Sequence, residues 1–318
     1  LSGEFLPNDR VADRSRGALG WRHEGIAFDS LRLLAEFDRV SDDGWWRDFP
    51  NANRTITPRL LPQRFAAERE FALPDGQGLL YGRIQRWQVL QGSTDLVTPP
   101  YERSPQLGVR GDGRFGGGWL WSAETEYNQF TLTRRADAAD LRTEGSRWHL
   151  LGSISRPWRE PGWWFVPKLS INAASYQTDQ AMSDGRRQAS RAIPSFSIDA
   201  GVELERTTNA FGRAFRQTLE PRLHYVNTPY RAQAQLPNFD AAERDFNASS
   251  IFADNNFSGI DRVSDSHQVT AGFTTRLVDA ASGAETLRLG LAQRTRLRDQ
   301  RVVISGDPLT KRFSDILI

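Results

Sequence analysis

Phe215-Arg216-Gln217-Thr218-Leu219-Glu220-Pro221-Arg222-Leu223-His224-Tyr225-Val226-Asn227 reads two residues at a time. Phe215, Gln217, Leu219, Pro221, Leu223 and Tyr225 fall on one side, and Arg216, Thr218, Glu220, Arg222 and His224 on the other. A second stretch, 285 to 297, sets Leu287, Leu289 and Leu291 against Thr286, Arg288, Gly290, Ala292, Arg294 and Arg296. Successive side chains of a strand point to opposite faces, so each stretch is a strand with one oily side and one side of small or charged groups. Length then decides its kind. Thirteen alternating residues at about 3.3 Å each span roughly 43 Å, whereas strands of soluble proteins are usually about 5 to 6 residues long. Tilted by about 45°, such a strand rises roughly 30 Å, enough to cross an outer membrane's apolar band of about 25 Å.

The same period marks candidate strands at 2 to 6, 16 to 24, 30 to 40, 61 to 73, 78 to 91, 104 to 111, 118 to 132, 145 to 156, 163 to 178, 194 to 207, 215 to 227, 267 to 279, 285 to 297 and 312 to 318. The connections alternate between long and short throughout, the longest being the 39 residues from Thr228 to Ser266. An up-and-down membrane barrel has that pattern, with short turns on the periplasmic side and longer loops outside. Pro74-Asp75-Gly76, Gly25, Gly162, Gly212 and Gly283 supply turn chemistry to short connections. Two places resist: the apolar face switches between Ile84 and Trp87, which suggests a bulge, and Pro221 and Pro167 lack a ladder donor. The fold expected is therefore all-β, an antiparallel up-and-down transmembrane β-barrel, here a partial one of about 14 strands that forms an open curved sheet alone.

Composition narrows the class. No run of 18 apolar residues exists among the 318, so no helix crosses a membrane, while alternating strands escape that test. With 41 basic against 39 acidic residues, no block of one sign tracks a nucleic-acid backbone. All but two of the basic residues are arginine, Lys168 and Lys311 being the exceptions. There is no cysteine, hence no disulfide and no thiolate metal site. Trp45, Trp46, Trp119, Trp121, Trp158, Trp163 and Trp164 sit near strand ends, as the aromatic girdle of a barrel requires.

Candidate chemistry is thin. Gly111-Asp112-Gly113-Arg114-Phe115-Gly116 matches a dinucleotide fingerprint, but a strand follows it where that motif needs a helix, so it reads as a hairpin turn. His23, His149, His224 and His267 lie on separate strands without ligand spacing, and no Ser, Asp and His cluster forms a hydrolase site. Asp42, Asp43, Glu203 and Glu205 read as solvated loop or lumen charge. No enzyme, cofactor or metal is expected. The inward charges Arg216, Glu220, Arg222, Arg288 and Arg294 are the candidate lumen contacts. The long connection is rich in aromatic and aliphatic residues, which argues for an ordered, packed loop.

Within that loop and beside it, Leu219-Glu220-Pro221-Arg222-Leu223, Pro229-Tyr230-Arg231, Leu236-Pro237-Asn238-Phe239-Asp240, Phe257-Ser258-Gly259-Ile260-Asp261-Arg262 and Asp265 to Gln268 resemble the C-terminal barrel of the LptD family of LPS-assembly proteins. Leu19-Gly20-Trp21-Arg22-His23, Asp38 to Asp43, Gln85-Arg86-Trp87-Gln88, Pro100-Tyr101-Glu102-Arg103 and Gly290 to Arg294 extend the resemblance over the chain. It marks Pro229, Tyr230, Phe239, Asp240, Phe257, Gly259, Asp261 and Arg262 as family-like loop residues. The resemblance implies a large barrel in the outer membrane of a Gram-negative bacterium that inserts lipopolysaccharide into the outer leaflet. Its implied partners are lipopolysaccharide, an LptE-like lipoprotein plug, a periplasmic bridge protein reached through an N-terminal domain, and outer-membrane lipid. On this view residues 1–318 are part of one barrel domain, with the periplasmic domain, cysteines, gate and closing strands outside the fragment. A general porin or transporter barrel is the alternative, and a soluble all-β glycan-binding protein the second.

Overall fold

A computed structural model describes residues 1–28, 30–49, 59–92, 96–133, 142–210 and 212–318; parts of three expected loops (50–58, 93–95 and 134–141) lie outside them. The alternating stretches pair as one antiparallel sheet. Its strands are β1 (Ser2–Asp9), β2 (Arg14–Ala27), β3 (Leu31–Val40), β4 (Leu60–Leu73), β5 (Gly76–Val89), β6 (Glu102–Phe115), β7 (Trp119–Thr131), β8 (Gly145–Ser155), β9 (Trp158–Glu160), β10 (Trp163–Thr178), β11 (Gln188–Val202), β12 (Leu204–Ala210), β13 (Arg213–Asn227), β14 (His267–Asp279) and β15 (Glu285–Arg296). They are hydrogen-bonded in the order β1-β2-β3-β4-β5-β6-β7-β8-β10-β11-β13-β14-β15, with β9 paired to β10 and β12 to β13. Neighbours in space are neighbours in sequence, the arrangement of a partial up-and-down barrel. Leu287, Leu289 and Leu291 are 42%, 53% and 38% exposed, and Leu219, Leu223 and Phe273 are exposed too, so the oily face looks outward.

Several expectations are corrected. Residues 312–318 form no continuous strand: Thr295 bridges Phe313 and Ala292 bridges Leu317, three positions against four, so the ladder along β15 slips. Residues 194–207 belong to two strands, β11 and β12, parted at Glu203. The first connection shrinks to 10–13 because β1 and β2 run further toward each other. β5 has no bulge. It pairs with β4 in unbroken register from Leu60↔Val89 to Leu73↔Gly76, so the strand simply carries Tyr81 and Trp87 on its other face. Gly25 lies inside β2, and Phe28 (φ 49) takes the left-handed conformation in its place. In the Pro74–Asp75 turn Asp75 (φ 55) does so, while Gly162, Gly212 and Gly283 are left-handed as expected. Gly116 opens a hairpin turn between β6 and β7, with no helix after the glycine motif.

Pro221 now has a physical reason. β11 pairs with β13 up to Gly201↔Arg222, and β12 resumes at Leu204↔Leu219 in the same register, so the ladder opens opposite Pro221. Proline cannot donate, and the Glu203 N–H donates instead to the Gly162 carbonyl at 2.7 Å.

By internal contacts the chain divides into two compact units. One comprises Leu1–Gly111, Glu124–His149 and Ser175–Ala189, the other Asp112–Ala123, Leu150–Ala174 and Ser190–Ile318. In the first, a short helix α1 (Trp45–Asp48) brings Trp45 onto Val40, Leu61 and Leu90. Trp45 is therefore core, 2% exposed, and no part of a girdle. Nor is Asp42 solvated: Arg16 donates to both its oxygens at 2.9 Å and also binds Asp9 and Asp48. Burial raises the Asp42 carboxyl, but the Arg16 and Ser41 hydrogen bonds and the charges of Arg16 and Arg14 together outweigh it and hold the group below its ordinary range. Elsewhere in this unit Glu126 accepts from Tyr81 (2.5 Å) and Gln106 (2.7 Å), a buried network on the polar face.

Candidate functional site: a loop seated on the polar face

In the second unit the longest connection, 228–266, packs onto the polar side of β10, β11, β13, β14 and β15. Period two aims His224, Thr270 and Arg294 at that side, and register places them in one row, His224 opposite Thr270 and Thr270 opposite Arg294. All three are buried.

The loop holds its own shape through reciprocal caps. Asp261 Oδ2 accepts from the N–H groups of Phe239 (2.6 Å) and Asp240 (3.1 Å), and Asp240 Oδ1 accepts from those of Ile260 (2.9 Å) and Asp261 (3.3 Å). Arg262 donates to the carbonyls of Pro237 and Leu236, both at 2.9 Å. Gly259 is left-handed (φ 67), and a Cβ there would collide with the Asp240 carbonyl. Leu236, Phe239, Ile251, Phe257 and Val263 are buried, so the loop is packed as its composition requires. Tyr230, beside Pro229 at the loop's entry, lies 3.6 Å by ring centroid from the Arg301 guanidinium.

Charge and carbonyls then fasten it to the wall. Asp254 takes an ion pair from Lys168 and a 3.1 Å hydrogen bond from His224 Nε2. Burial pushes the Asp254 carboxyl up, but His224 and Lys168 more than reverse this and hold it well below the usual carboxylate range. Arg294 donates to the carbonyls of Ile251 (2.6 Å) and Ser250 (3.2 Å) and to Asn256 Oδ1 (2.7 Å). Thr270 Oγ1 also donates to Ile251, at 3.1 Å, and Arg191 donates to the Ile260 carbonyl. Phe252 lies 4.3 Å from the Arg222 guanidinium, which makes a two-pronged bond to Asp199 at 2.8 and 2.9 Å. Its ring rests on bare backbone, since a Cβ on Gly272 would stand 3.1 Å from it.

The candidate charges thus separate. Arg222 and Arg294 touch the loop. Glu220 accepts from Arg276 Nε at 2.7 Å and, with Arg222 and Arg288, lines a cleft of about 540 Å³ beside Ile251 and Phe252. Arg288 pairs with Glu285, and Arg216 lies 3.5 Å from Glu205; both are mostly exposed. Sequence reading missed Lys168, Arg191, Asp254, Thr270 and Gly272. A signal existed for Lys168, one of two lysines among 41 basic residues, and for Asp254, which lies in the aromatic-rich part of the loop. The arrangement aims donors and acceptors at a fixed loop, though Arg191 Nε, His224 Nδ1 and Arg294 Nε are buried without a partner among the described residues. Among the described residues no group of three His, Asp or Glu could hold a metal.

Comparison with known proteins gives a consistent match. The family model LptD, LPS transport system D, matches residues 14–318. The LPS-assembly protein LptD of Polaromonas sp. (strain JS666 / ATCC BAA-500) is 39% identical over 333 residues, covering 100% of this chain and 39% of that protein. That of Paracidovorax citrulli (strain AAC00-1) is 40% identical over 330 residues, with 100% and 39% covered. For Ralstonia nicotianae (strain ATCC BAA-1114 / GMI1000) the figures are 37% over 324 residues, 100% and 39%. The chain spans about two fifths of the length of these relatives.

Proposed function

The chain belongs to the LptD family, LPS transport system D, and on that premise we propose that it forms part of the wall of an outer-membrane barrel that moves lipopolysaccharide to the cell surface. The observation that carries this is the pairing of a family match over nearly the whole chain with long strands oily on their exposed face and polar on the other. Acyl chains would stay in lipid along the outer face while sugars and phosphates pass the wet one, so no covalent chemistry is needed and the protein acts as a conduit, not an enzyme.

All 318 residues belong, in this reading, to one barrel domain of a Gram-negative outer membrane, completed by chain outside this stretch. A lipoprotein plug of the LptE kind and a periplasmic bridge protein are the partners it requires. Among the inward charges, Arg216 and Arg288 are the exposed ones and offer contact to a plug or to anionic sugars, with Glu220 lining the same cleft as Arg288. Arg222 and Arg294 serve differently, fixing the loop and so the bore of the conduit.

In a strain depleted of its own copy, the full-length protein should restore lipopolysaccharide on intact cells, measured with a lipopolysaccharide-specific antibody. A protein that assembles in the outer membrane yet leaves the signal at the depleted level would overturn the proposal.

A further inference from the structure

One cation on the exposed face of the second unit has no ionic or hydrogen-bonding partner for its side chain among the described residues. Arg156 follows β8, and its N–H donates to the Pro167 carbonyl of β10 at 3.2 Å. β10 shows Trp163, Phe165, Leu169 and Ile171 on its exposed face, while Trp164 lies over Gly201 and Lys168 reaches Asp254 on the other. Residues opposite one another in an antiparallel pair share a face. Arg156, opposite Pro167, therefore lies on the apolar side.

Its guanidinium carbon stands 5.2 Å from the Trp158 ring centroid and 5.9 Å from that of Trp119. Phe115 stacks on Trp119 at 6.1 Å, and Phe165 lies 5.8 Å from Trp158. Aromatic faces attract a guanidinium but leave its N–H fork unbonded. Among the described residues neither a carboxylate nor a carbonyl pairs with that fork. The adjoining β6–β7 turn is Gly116-Gly117-Gly118, left-handed at φ 78 and 79, and a Cβ on Gly117 or Gly118 would stand 3.5 or 3.6 Å from the guanidinium. The glycines keep the space beside the fork open.

We propose that Arg156, beside Trp119 and Trp158, binds the phosphodiester of a glycerophospholipid in the leaflet that borders the short turns. The proposal rests on the membrane reading and adds a lipid site to it. An unpaired guanidinium is costly on the lipid face at mid-bilayer and tolerated near the interface. Indoles settle at that same headgroup level. Short turns mark the periplasmic side of bacterial barrels, and there the one abundant anion within reach of an outward-facing arginine is the lipid phosphate. A planar fork suits two phosphate oxygens, while its carbon stays near both rings.

The test uses the full-length protein with its partners, purified in detergent and given phosphatidylglycerol, with retained lipid counted by native mass spectrometry. Wild type should hold one more phosphatidylglycerol than Arg156→Gln, whose retention should be roughly tenfold weaker for loss of a charged hydrogen bond. Arg156→Lys should be intermediate. Resistance of the folded barrel to cold SDS checks each variant. If Arg156→Gln does not fold, Trp158→Leu keeps the charge and should still weaken retention. Equal retention by wild type and these variants overturns the proposal, as does preference for lipid A over phosphatidylglycerol. Failure of the wild type to enter bilayers at all would instead sink the membrane reading and this site with it.

Discussion

Arg16 and Arg294 are both buried, at 4% and 3% exposure, and each pins the connection beside it. Arg16 meets three carboxylates, of Asp9, Asp42 and Asp48, and its guanidinium also lies 5.6 Å from the Trp45 ring centroid and 5.0 Å from that of Phe49. Arg294 meets no carboxylate among the described residues but two carbonyls and an amide oxygen, with the Phe246 ring centroid 5.9 Å away. Arg16 thus holds its loop through charge, whereas Arg294 holds the other through hydrogen-bond geometry, alongside the Asp254–Lys168 ion pair. The charged hub tolerates small shifts, because attraction falls off slowly with distance. The carbonyl cage does not, because a hydrogen bond fails within a few tenths of an ångström.

The comparison can be broken at several points. Arg16→Met should have the largest effect, about 3 kcal/mol lost in urea unfolding of the full-length protein, because it leaves clustered aspartates unneutralised. Arg294→Met should cost about 2 kcal/mol, since orphaned carbonyls are partly offset by removal of a desolvated charge. A larger loss for Arg294 than for Arg16 would reverse the ranking and the argument with it. Gly272→Ala should cost about 1 kcal/mol, the new methyl crowding the Ala292 Cβ and Phe252, with faster amide exchange over 248–257 as the marker.

Acid sharpens the contrast further. The Asp254 carboxyl is held below its ordinary value, so its pairing with His224 and Lys168 contributes stability above the unfolded carboxylate pKa of about 3.9 and loses it as pH falls through the lowered value. Exchange protection of 250–256 should hold at pH 5 and decline from about pH 4 downward. Asp254→Asn should flatten that dependence, whereas the Arg294 cage has no group that titrates there. The smallest effects belong to Arg216→Ser and Arg288→Ser, exposed pairs whose loss should leave the urea midpoint unchanged.

Period two made the strands legible. Leu287, Leu289 and Leu291 declare an outward face without reference to any other part of the chain, and the predicted strands 163–178 and 267–279 coincide with β10 and β14. Gly259 and Asp261 were singled out by resemblance, and only coordinates show why: one takes a conformation a side chain would obstruct, and the other caps two amides. Trp45 and Asp42 misled because a loop tryptophan and a loop aspartate look alike whether solvated or buried.

By itself, then, the sequence determined which residues lie on the apolar face and which on the polar one, because that alternation is a local property of an extended backbone. Tertiary structure alone decided that the 39-residue connection lies on the polar face and that Lys168, Arg191, His224 and Arg294 hold it there. Those partners come from four different strands, and no local periodicity encodes which charges a folding chain will bring within hydrogen-bonding distance.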